Sequence, residues 1–288
     1  MVETVVKDMQ KDGFLTRLSW RIKVSTREKG LGRKNGMKHL KLIVGIVLIV
    51  IILFPTFGVA AHSGKIPVIE RGVFVDHAIG HHSPPPGDDT KDDYRIRQGV
   101  TWPRMGVAYY NENNIQRYTS WPINYTVYTS DKSRFNKVEQ AFETWDSEIP
   151  PNMFYAPTHI SIPPYPPSPA LDGENTVSWQ DLGSKGPVAI TYYWFYPKTK
   201  TMLEFDIVFN NDLDWSTERP VPVDPDGNPT HYDVASVATH EVGHTLVLFD
   251  LYAPKDYWLT MYGRTWKGDN LKDTLGYGDK LGIWKLYP

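Results

Sequence analysis

The sequence predicts an α+β fold for residues 119–288 of this 288-residue chain. The first observation is a helical pattern that begins after Asp233, a residue type favoured at N-caps, and that carries apolar residues such as Val237, Val242 and Leu246. The second is a His-Glu-x-x-His motif within the same helix. The third is an aromatic content of 13%, with ten Trp and seventeen Tyr, which is typical of a well-packed globular body.

The motif comprises His240, Glu241 and His244. Histidines at i and i+4 lie about 40° apart around a helix, so both imidazoles face one point, as two ligands of a tetrahedral zinc ion must. Glu241 follows the first histidine and can reach a metal-bound water without binding the metal itself. The motif therefore predicts metal-assisted hydrolysis with Glu241 as the general base. The alternative is a surface helix with unrelated His and Glu residues, which the helical flanks disfavour.

A carboxylate and a methionine follow the motif. Asp250 lies six positions after His244, and Met261 lies within the segment Leu-Thr-Met-Tyr-Gly at 259–263. A third ligand at this spacing, followed by a Met-containing turn, resembles the metzincin metallopeptidases, and most closely the matrixin branch. The resemblance implies that His240, His244 and Asp250 bind zinc, with Glu241 as the base, and that Met261 forms the turn beneath the metal.

The resemblance extends from Trp121 to the C-terminus. It implies a metzincin-like twisted mixed β-sheet, a zinc-binding active-site helix packed behind it, and a C-terminal helix on the far side. The segments that resemble family elements are a first strand at 121–128, a first helix at 138–145, an edge strand at 188–195, a further strand at 205–210 with Trp215 after it, and the closing helix at 274–287. A peptide could add to the edge strand in antiparallel direction and so present its carbonyl to zinc.

Some positions depart from the family pattern. The family usually has Gly where Val247 stands, and because a β-branched residue resists φ > 0, we expect a different local turn. The third ligand is usually His, although Asp occurs in the related snapalysins and carboxylates are ordinary zinc ligands. Asp256 lies in the same loop as Asp250 but at no motif position, so its replacement should change little. Matrixins often bind a second zinc through histidines on their strands; residues 189–192 and 206–209 contain none, and we expect no second zinc.

The first 61 residues predict export. They hold eleven Lys and Arg against four acids, and residues 42–54 form an apolar run that precedes the small residues Ala60 and Ala61. This pattern is typical of a signal peptide with cleavage near Ala61. An uncleaved signal anchor is the alternative, because residues 42–61 are about long enough to span a bilayer. Either topology places the following domain outside the cell.

Residues 62–118 are predicted to be a linker or a pro-segment, because part of this stretch is polar and proline-rich. A solvated linker suits His77, His81 and His82 better than a metal site does. The chain has no cysteine, which excludes disulfides and a cysteine-based switch, so latency would need another route. Residues 224–228 resemble part of a calcium loop but lack a later bidentate Glu. A plain turn is therefore favoured there, and calcium stays open as a second ion without named ligands.

These features predict a zinc-dependent endopeptidase that is secreted, or anchored to the cell membrane with its catalytic domain outside. Peptides or proteins would be its substrates, and we expect the protein to be a monomer. Its contact with the membrane would be limited to the N-terminal apolar segment. Beyond residue 61 the acids outnumber the basic residues, which disfavours nucleic acid as a partner. One alternative is a non-catalytic binding protein of the same fold on the cell surface. The other is an interaction protein with a structural zinc, which would usually have four protein ligands.

Overall fold

The computed structural model describes residues 68–78, 90–97, 99–110, 113–150, 152–161 and 166–288. These residues all belong to one compact unit, Lys65–Pro288. The export signal predicted within residues 1–61 lies outside the described residues, as do His81 and His82. Within the described part of the chain, none of the helices combines the length and the apolar character needed to cross a membrane.

A six-stranded mixed sheet forms the centre of the unit. Its strands are β1 (Glu70–Asp76), β4 (Thr126–Tyr128), β5 (Thr158–Ile160), β6 (Thr176–Gln180), β7 (Ala189–Tyr196) and β8 (Thr201–Asn210). The strand order is β1-β7-β8-β6-β4-β5. The pairs among β5, β4, β6 and β8 are parallel, whereas β7 runs antiparallel to both of its neighbours. Two small sheets pair β2 (Val107–Tyr110) with β3 (Gln116–Thr119), and β9 (Trp215–Ser216) with β10 (Tyr232–Asp233).

Three α-helices accompany the sheet in the described residues: α1 (Lys132–Asp146), α2 (Val234–Thr245) and the C-terminal α3 (Tyr277–Leu286). The predicted α+β fold is thus confirmed, with a mixed sheet and a helix near the C-terminus. The first helix begins at Lys132, earlier than the predicted 138, because the Asp131 side chain accepts the backbone N–H groups of Ser133 and Arg134 and caps it there. The predicted strand 121–128 is shorter, since only Thr126–Tyr128 pair continuously.

The helix α2 lies in the middle of the core. All twelve of its residues are buried, and it contacts both α1 and β7. The Trp145 indole of α1 donates a hydrogen bond to the Thr239 carbonyl of α2 at 2.7 Å, which fixes the two helices together. A helix that is buried on every side normally carries apolar residues throughout. The buried polar residues on α2 therefore require a specific reason, and His240, Glu241 and His244 are among them.

The strand β1 comes from the stretch that was predicted to be a linker or a pro-segment. It pairs along the outer side of β7, from Glu70 opposite Phe195 to Asp76 opposite Ala189. The sequence predicted that residues 188–195 would form an edge strand open to a peptide. In the structure β7 has a neighbour on each side, so β1 occupies that edge.

Candidate metal centre

The N-terminus of α2 is capped as predicted. The Asp233 carboxylate accepts the backbone N–H of Ser236 at 2.7 Å and pairs with the Arg219 guanidinium at 2.9 Å. A carboxylate at this end of a helix satisfies a free backbone donor and interacts favourably with the helix dipole. The cap fixes where the helix starts, and therefore which way His240 and His244 face.

Three of the predicted site residues converge on one point. The Asp250 Oδ1 atom lies 3.2 Å from His240 Nε2 and 3.5 Å from His244 Nε2. Ligands that hold zinc tetrahedrally at bond lengths of about 2.0–2.1 Å lie roughly 3.3 Å from one another. The observed separations match this spacing, and the three ligand atoms all lie within 4.8 Å of one another.

The other ring nitrogen of each histidine is held by a backbone carbonyl. His240 Nδ1 lies 2.7 Å from the Thr260 carbonyl oxygen, and His244 Nδ1 lies 2.8 Å from that of Leu248. A carbonyl only accepts hydrogen bonds, so each Nδ1 carries the proton and donates it, as metal-ligating histidines usually do. Both Nε2 atoms are buried without a hydrogen-bond partner. Their lone pairs and the Asp250 carboxylate face one another, an arrangement that a cation stabilises.

The chain reaches Asp250 through a left-handed residue at the end of α2. Val247 has φ of 66°, so the expectation that the local turn must differ is wrong. The Val247 N–H bonds to the His244 carbonyl at 2.9 Å, and the Leu248 N–H bonds to the Gly243 carbonyl at 3.1 Å, the usual closing pattern of such a helix end. The conformation costs a β-branched residue about 1–2 kcal/mol. The Val247 side chain is 0% exposed, and burial of that size contributes about 1.5–3 kcal/mol, which offsets the strain.

The loop that carries Asp250 is hydrogen-bonded to the segment around Met261. The Leu251 N–H bonds to the Met261 carbonyl at 2.8 Å, and the Gly263 N–H bonds to the Leu251 carbonyl at 2.8 Å. Met261 is buried, and its sulfur packs against the backbone of Gly243, where a Cβ atom would collide with it. Met261 therefore packs directly against the turn of α2 that carries both histidines.

The side chain of Asp279, on α3, holds the segment around Met261 in place. The Asp279 carboxylate is buried and accepts the backbone N–H groups of Thr260 at 2.8 Å, Met261 at 3.1 Å and Gly276 at 2.9 Å. Burial raises the pKa of Asp279 to about 6, although these hydrogen bonds lower it. The Thr260 carbonyl accepts the hydrogen bond from His240 Nδ1. Asp279 therefore helps to position the candidate ligand His240 through the backbone of Thr260. From the sequence, Asp279 was expected to lie in the closing helix, and no role was predicted for it.

Replacement of Asp279 by Ala is expected to lower the free energy of unfolding by about 3 kcal/mol or more, because it leaves three buried backbone donors without an acceptor. It should also weaken zinc binding, since Thr260 then loses its anchor. Urea unfolding and zinc titration measure the two effects. Lys285→Ala, at an exposed position on the same helix, is the control and should change neither. Equal stability of Asp279→Ala and the control would contradict the role of Asp279.

Glu241 is buried beside the three ligands. Its Oε2 atom accepts a hydrogen bond from the Thr191 hydroxyl of β7, whereas its Oε1 atom is buried without a partner. Burial raises the pKa of Glu241 to about 8, and the Asp76 charge adds to this while His244 opposes it. Thr191 thus orients the candidate base. The sequence signal for Thr191 was weak, because it consists of a single hydroxyl within an apolar strand.

Two other histidines do not join the cluster. His77, which the sequence assigned to a solvated linker, is exposed, and His231, which precedes α2, has its Nδ1 atom 2.7 Å from the Thr230 hydroxyl. The Asp224 carboxylate accepts the backbone N–H groups of Asp226 and Asn228, so the candidate calcium loop forms a turn closed on its own backbone. In the part of the chain that the structure describes, one group of metal-ligating side chains is found, namely His240, His244 and Asp250.

The chain was compared with protein-family models and with curated proteins, and neither comparison found a match. The candidate site therefore rests on the residues of this chain and on their geometry.

Proposed function

We propose that this protein is a zinc-dependent endopeptidase of the metzincin type with a matrixin-like catalytic domain. The observation that carries the proposal is that Asp250 Oδ1 lies at tetrahedral spacing from both His240 Nε2 and His244 Nε2, with all three ligand atoms within 4.8 Å of one another. Two backbone carbonyls set the histidine tautomers that such a site needs. A set of two histidines and one carboxylate, with a fourth position open, is typical of catalytic rather than structural zinc.

In the proposed mechanism, His240, His244 and Asp250 hold the ion. When bound, zinc supplies Lewis-acid chemistry, because it lowers the pKa of a water molecule and polarises the scissile carbonyl. The Oε1 atom of Glu241 has no hydrogen-bond partner and accepts the proton of the attacking water, while Thr191 holds Oε2 in place. Glu241 then returns the proton to the leaving amine. Burial of Glu241 excludes bulk water from this transfer.

An extended peptide is the proposed substrate class. The outer side of β7 already hydrogen-bonds to an antiparallel strand, which is the geometry that a bound peptide would adopt. The aromatic residues after Asp250 provide no open pocket by themselves, because Tyr257, Tyr262 and Trp266 pack into a buried cluster. These side chains therefore contribute to packing, and no cleavage preference is assigned from them.

The proposal includes export of the domain, by secretion or on a membrane anchor. Mass spectrometry of the culture supernatant is expected to find a mature N-terminus near His62, because the apolar run and the small residues before it form a cleavable signal. Recovery of full-length protein from membranes alone would favour the anchor.

Metal content tests the site directly. Purified protein is expected to contain one zinc per chain by elemental analysis, to lose it to a strong chelator and to regain it from zinc salts. Replacement of both His240 and His244 by Ala should abolish the binding. Absence of stoichiometric zinc in the unaltered protein would contradict the proposal.

A further inference from the structure

We propose that β1 occupies the substrate cleft of this same chain, and that the Asp76 carboxylate supplies a fourth ligand to the metal. The protein would then be latent until β1 is displaced. This inference rests on the proposed function, because it needs the metal centre of His240, His244 and Asp250.

The path of the segment is that of a peptide in the cleft. The strand β1 runs antiparallel to β7, which is the direction expected for a bound substrate. Two residues beyond its end, Ala78 pairs with Thr265, which lies shortly after Met261. The segment therefore passes between β7 on one side and the loop after Met261 on the other, across the candidate site.

The side chains of β1 that face inwards lie on the catalytic side of the sheet. Residues directly opposite in an antiparallel pair point to the same face, so Phe74 shares its face with Thr191 and Asp76 shares its face with Ala189. Thr191 is the residue whose hydroxyl binds Glu241. Phe74 and Asp76 consequently face the candidate site, whereas Arg71 and Val73 are exposed.

The Phe74 ring covers one of the candidate ligands. It stacks on the His244 imidazole with 4.0 Å between ring centroids and an interplanar angle of 6°. The Phe249 ring packs against it edge-on at 5.0 Å, and Phe74 is 6% exposed. A substrate side chain could not take this position while β1 remains paired.

Asp76 has an unusual environment. It is 3% exposed, and neither of its carboxylate oxygens has a hydrogen-bond partner. Among the described residues it is the one carboxylate with both oxygens buried and unpartnered. Its backbone is held firmly, because the Val188 N–H donates to the Asp76 carbonyl at 2.8 Å. A charged carboxylate in such a place is stabilised by a nearby cation.

The metal is the cation that the site offers. The buried ammonium of Lys272 is already bonded to the Arg264 carbonyl and to the Thr265 hydroxyl. Asp76 lies two residues after Phe74 on the same face of β1, and the Phe74 ring lies against the candidate ligand His244. The Asp76 oxygens lie outside the group of ligand atoms within 4.8 Å of one another. In this proposal, the Asp76 side chain turns towards the three ligand atoms when the metal binds. Four protein ligands close a zinc site, and loss of one reopens it.

Two variants of the full chain, solubilised in detergent and loaded with Co²⁺ in place of zinc, test the proposal. Asp76→Asn removes the anionic ligand. Gly72→Val places a side chain into the Tyr193 ring, which lies across Gly72, and so pushes β1 away from β7. The matched controls are Asp92→Asn, at an exposed acid, and Gly106→Val, where an added Cβ meets no atom within 4 Å.

The probe is acetohydroxamate, which binds a metal only at an open position, and its binding is followed through the visible absorption of cobalt. The apparent affinity for the probe is proportional to the fraction of molecules whose metal site is open, so it is low when most sites are closed. Both variants are therefore expected to bind the probe at least about tenfold more tightly than the unaltered chain and the controls. Asp76→Asn should also change the cobalt spectrum before any probe is added.

Each outcome decides one question. Equal probe affinity in the unaltered chain and in Asp76→Asn would overturn the role of Asp76, even if Gly72→Val bound more tightly. Equal affinity in Gly72→Val as well would overturn the occupation of the cleft by β1. Failure of the unaltered chain to bind cobalt would instead contradict the proposed function, so the two proposals fail separately.

Discussion

Replacement of Glu241 by Gln is expected to leave the metal bound and to lower the turnover of a peptide substrate by at least about a hundredfold. The side chain lies next to the candidate ligands without being one of them, and its Oε1 atom is free to accept a proton. Glutamine keeps the size of the side chain and its contact with the Thr191 hydroxyl but cannot take that proton. Zinc content and hydrolysis of a fluorogenic peptide measure the two properties on the same preparation.

The comparison is made in the unaltered chain and in the Gly72→Val background, in which β1 is displaced from β7, so that a latent protein is not mistaken for an inactive one. Glu143→Gln, at an exposed position on α1, is the matched control and should retain full turnover. Unchanged turnover in Glu241→Gln would show that another group acts as the base.

In the Gly72→Val background, where Asp76 is withdrawn together with β1, replacement of Asp250 by Ala is expected to lower zinc affinity by orders of magnitude and to abolish hydrolysis, because it leaves two protein ligands where three converge. The carboxylate is also positioned through its Oδ2 atom, which accepts a hydrogen bond from the Tyr252 hydroxyl at 3.2 Å. A Tyr252→Phe variant should therefore weaken zinc binding far less than Asp250→Ala does. Competition with a fluorescent chelator measures both affinities.

The choice of control for Asp250 depends on the structure. By sequence position, Asp256 was expected to be dispensable, which stays a prediction, but Asp256 is 3% exposed and is therefore a poor control. It shares a hydrogen bond with Asp93, and burial raises its pKa to about 6. Asp226 is an exposed acid, so Asp226→Ala is the better control. Retention of full zinc stoichiometry by Asp250→Ala under chelator competition would contradict the ligand assignment.

The parts of the site that sequence predicts well are local. His240 and His244 lie on one helix, so their spacing alone determines that their rings converge. The cap at Asp233 was predictable for the same reason, because it depends on residues within one turn.

Val247 shows where local preference fails. A β-branched residue resists a left-handed conformation, yet Val247 adopts one because the core buries its side chain completely. The conformational preference of valine does not include the free energy gained by burying its side chain in the core. Tertiary packing therefore outweighed the local preference at Val247.

The strand β1 could not be predicted, because it pairs with residues more than a hundred positions away along the chain. Its sequence, Glu-Arg-Gly-Val-Phe-Val-Asp, has only a weak alternation, and the polar stretch after it suggested a linker. Asp279 was missed for a related reason. Its role depends on three backbone donors, two of which belong to the separate loop around Met261.

The central claim is that His240, His244 and Asp250 form the metal centre of a peptidase. Casein digestion with and without a chelator tests it most directly, on the Gly72→Val protein, in which β1 is displaced from β7, and on the unaltered chain, with zinc content determined for each sample. The expected result is digestion by Gly72→Val that stops when the chelator removes zinc and resumes when zinc is restored, with slower digestion by the unaltered chain. Digestion that persists after complete removal of zinc, or no digestion by a Gly72→Val protein that holds one zinc per chain, would contradict the claim.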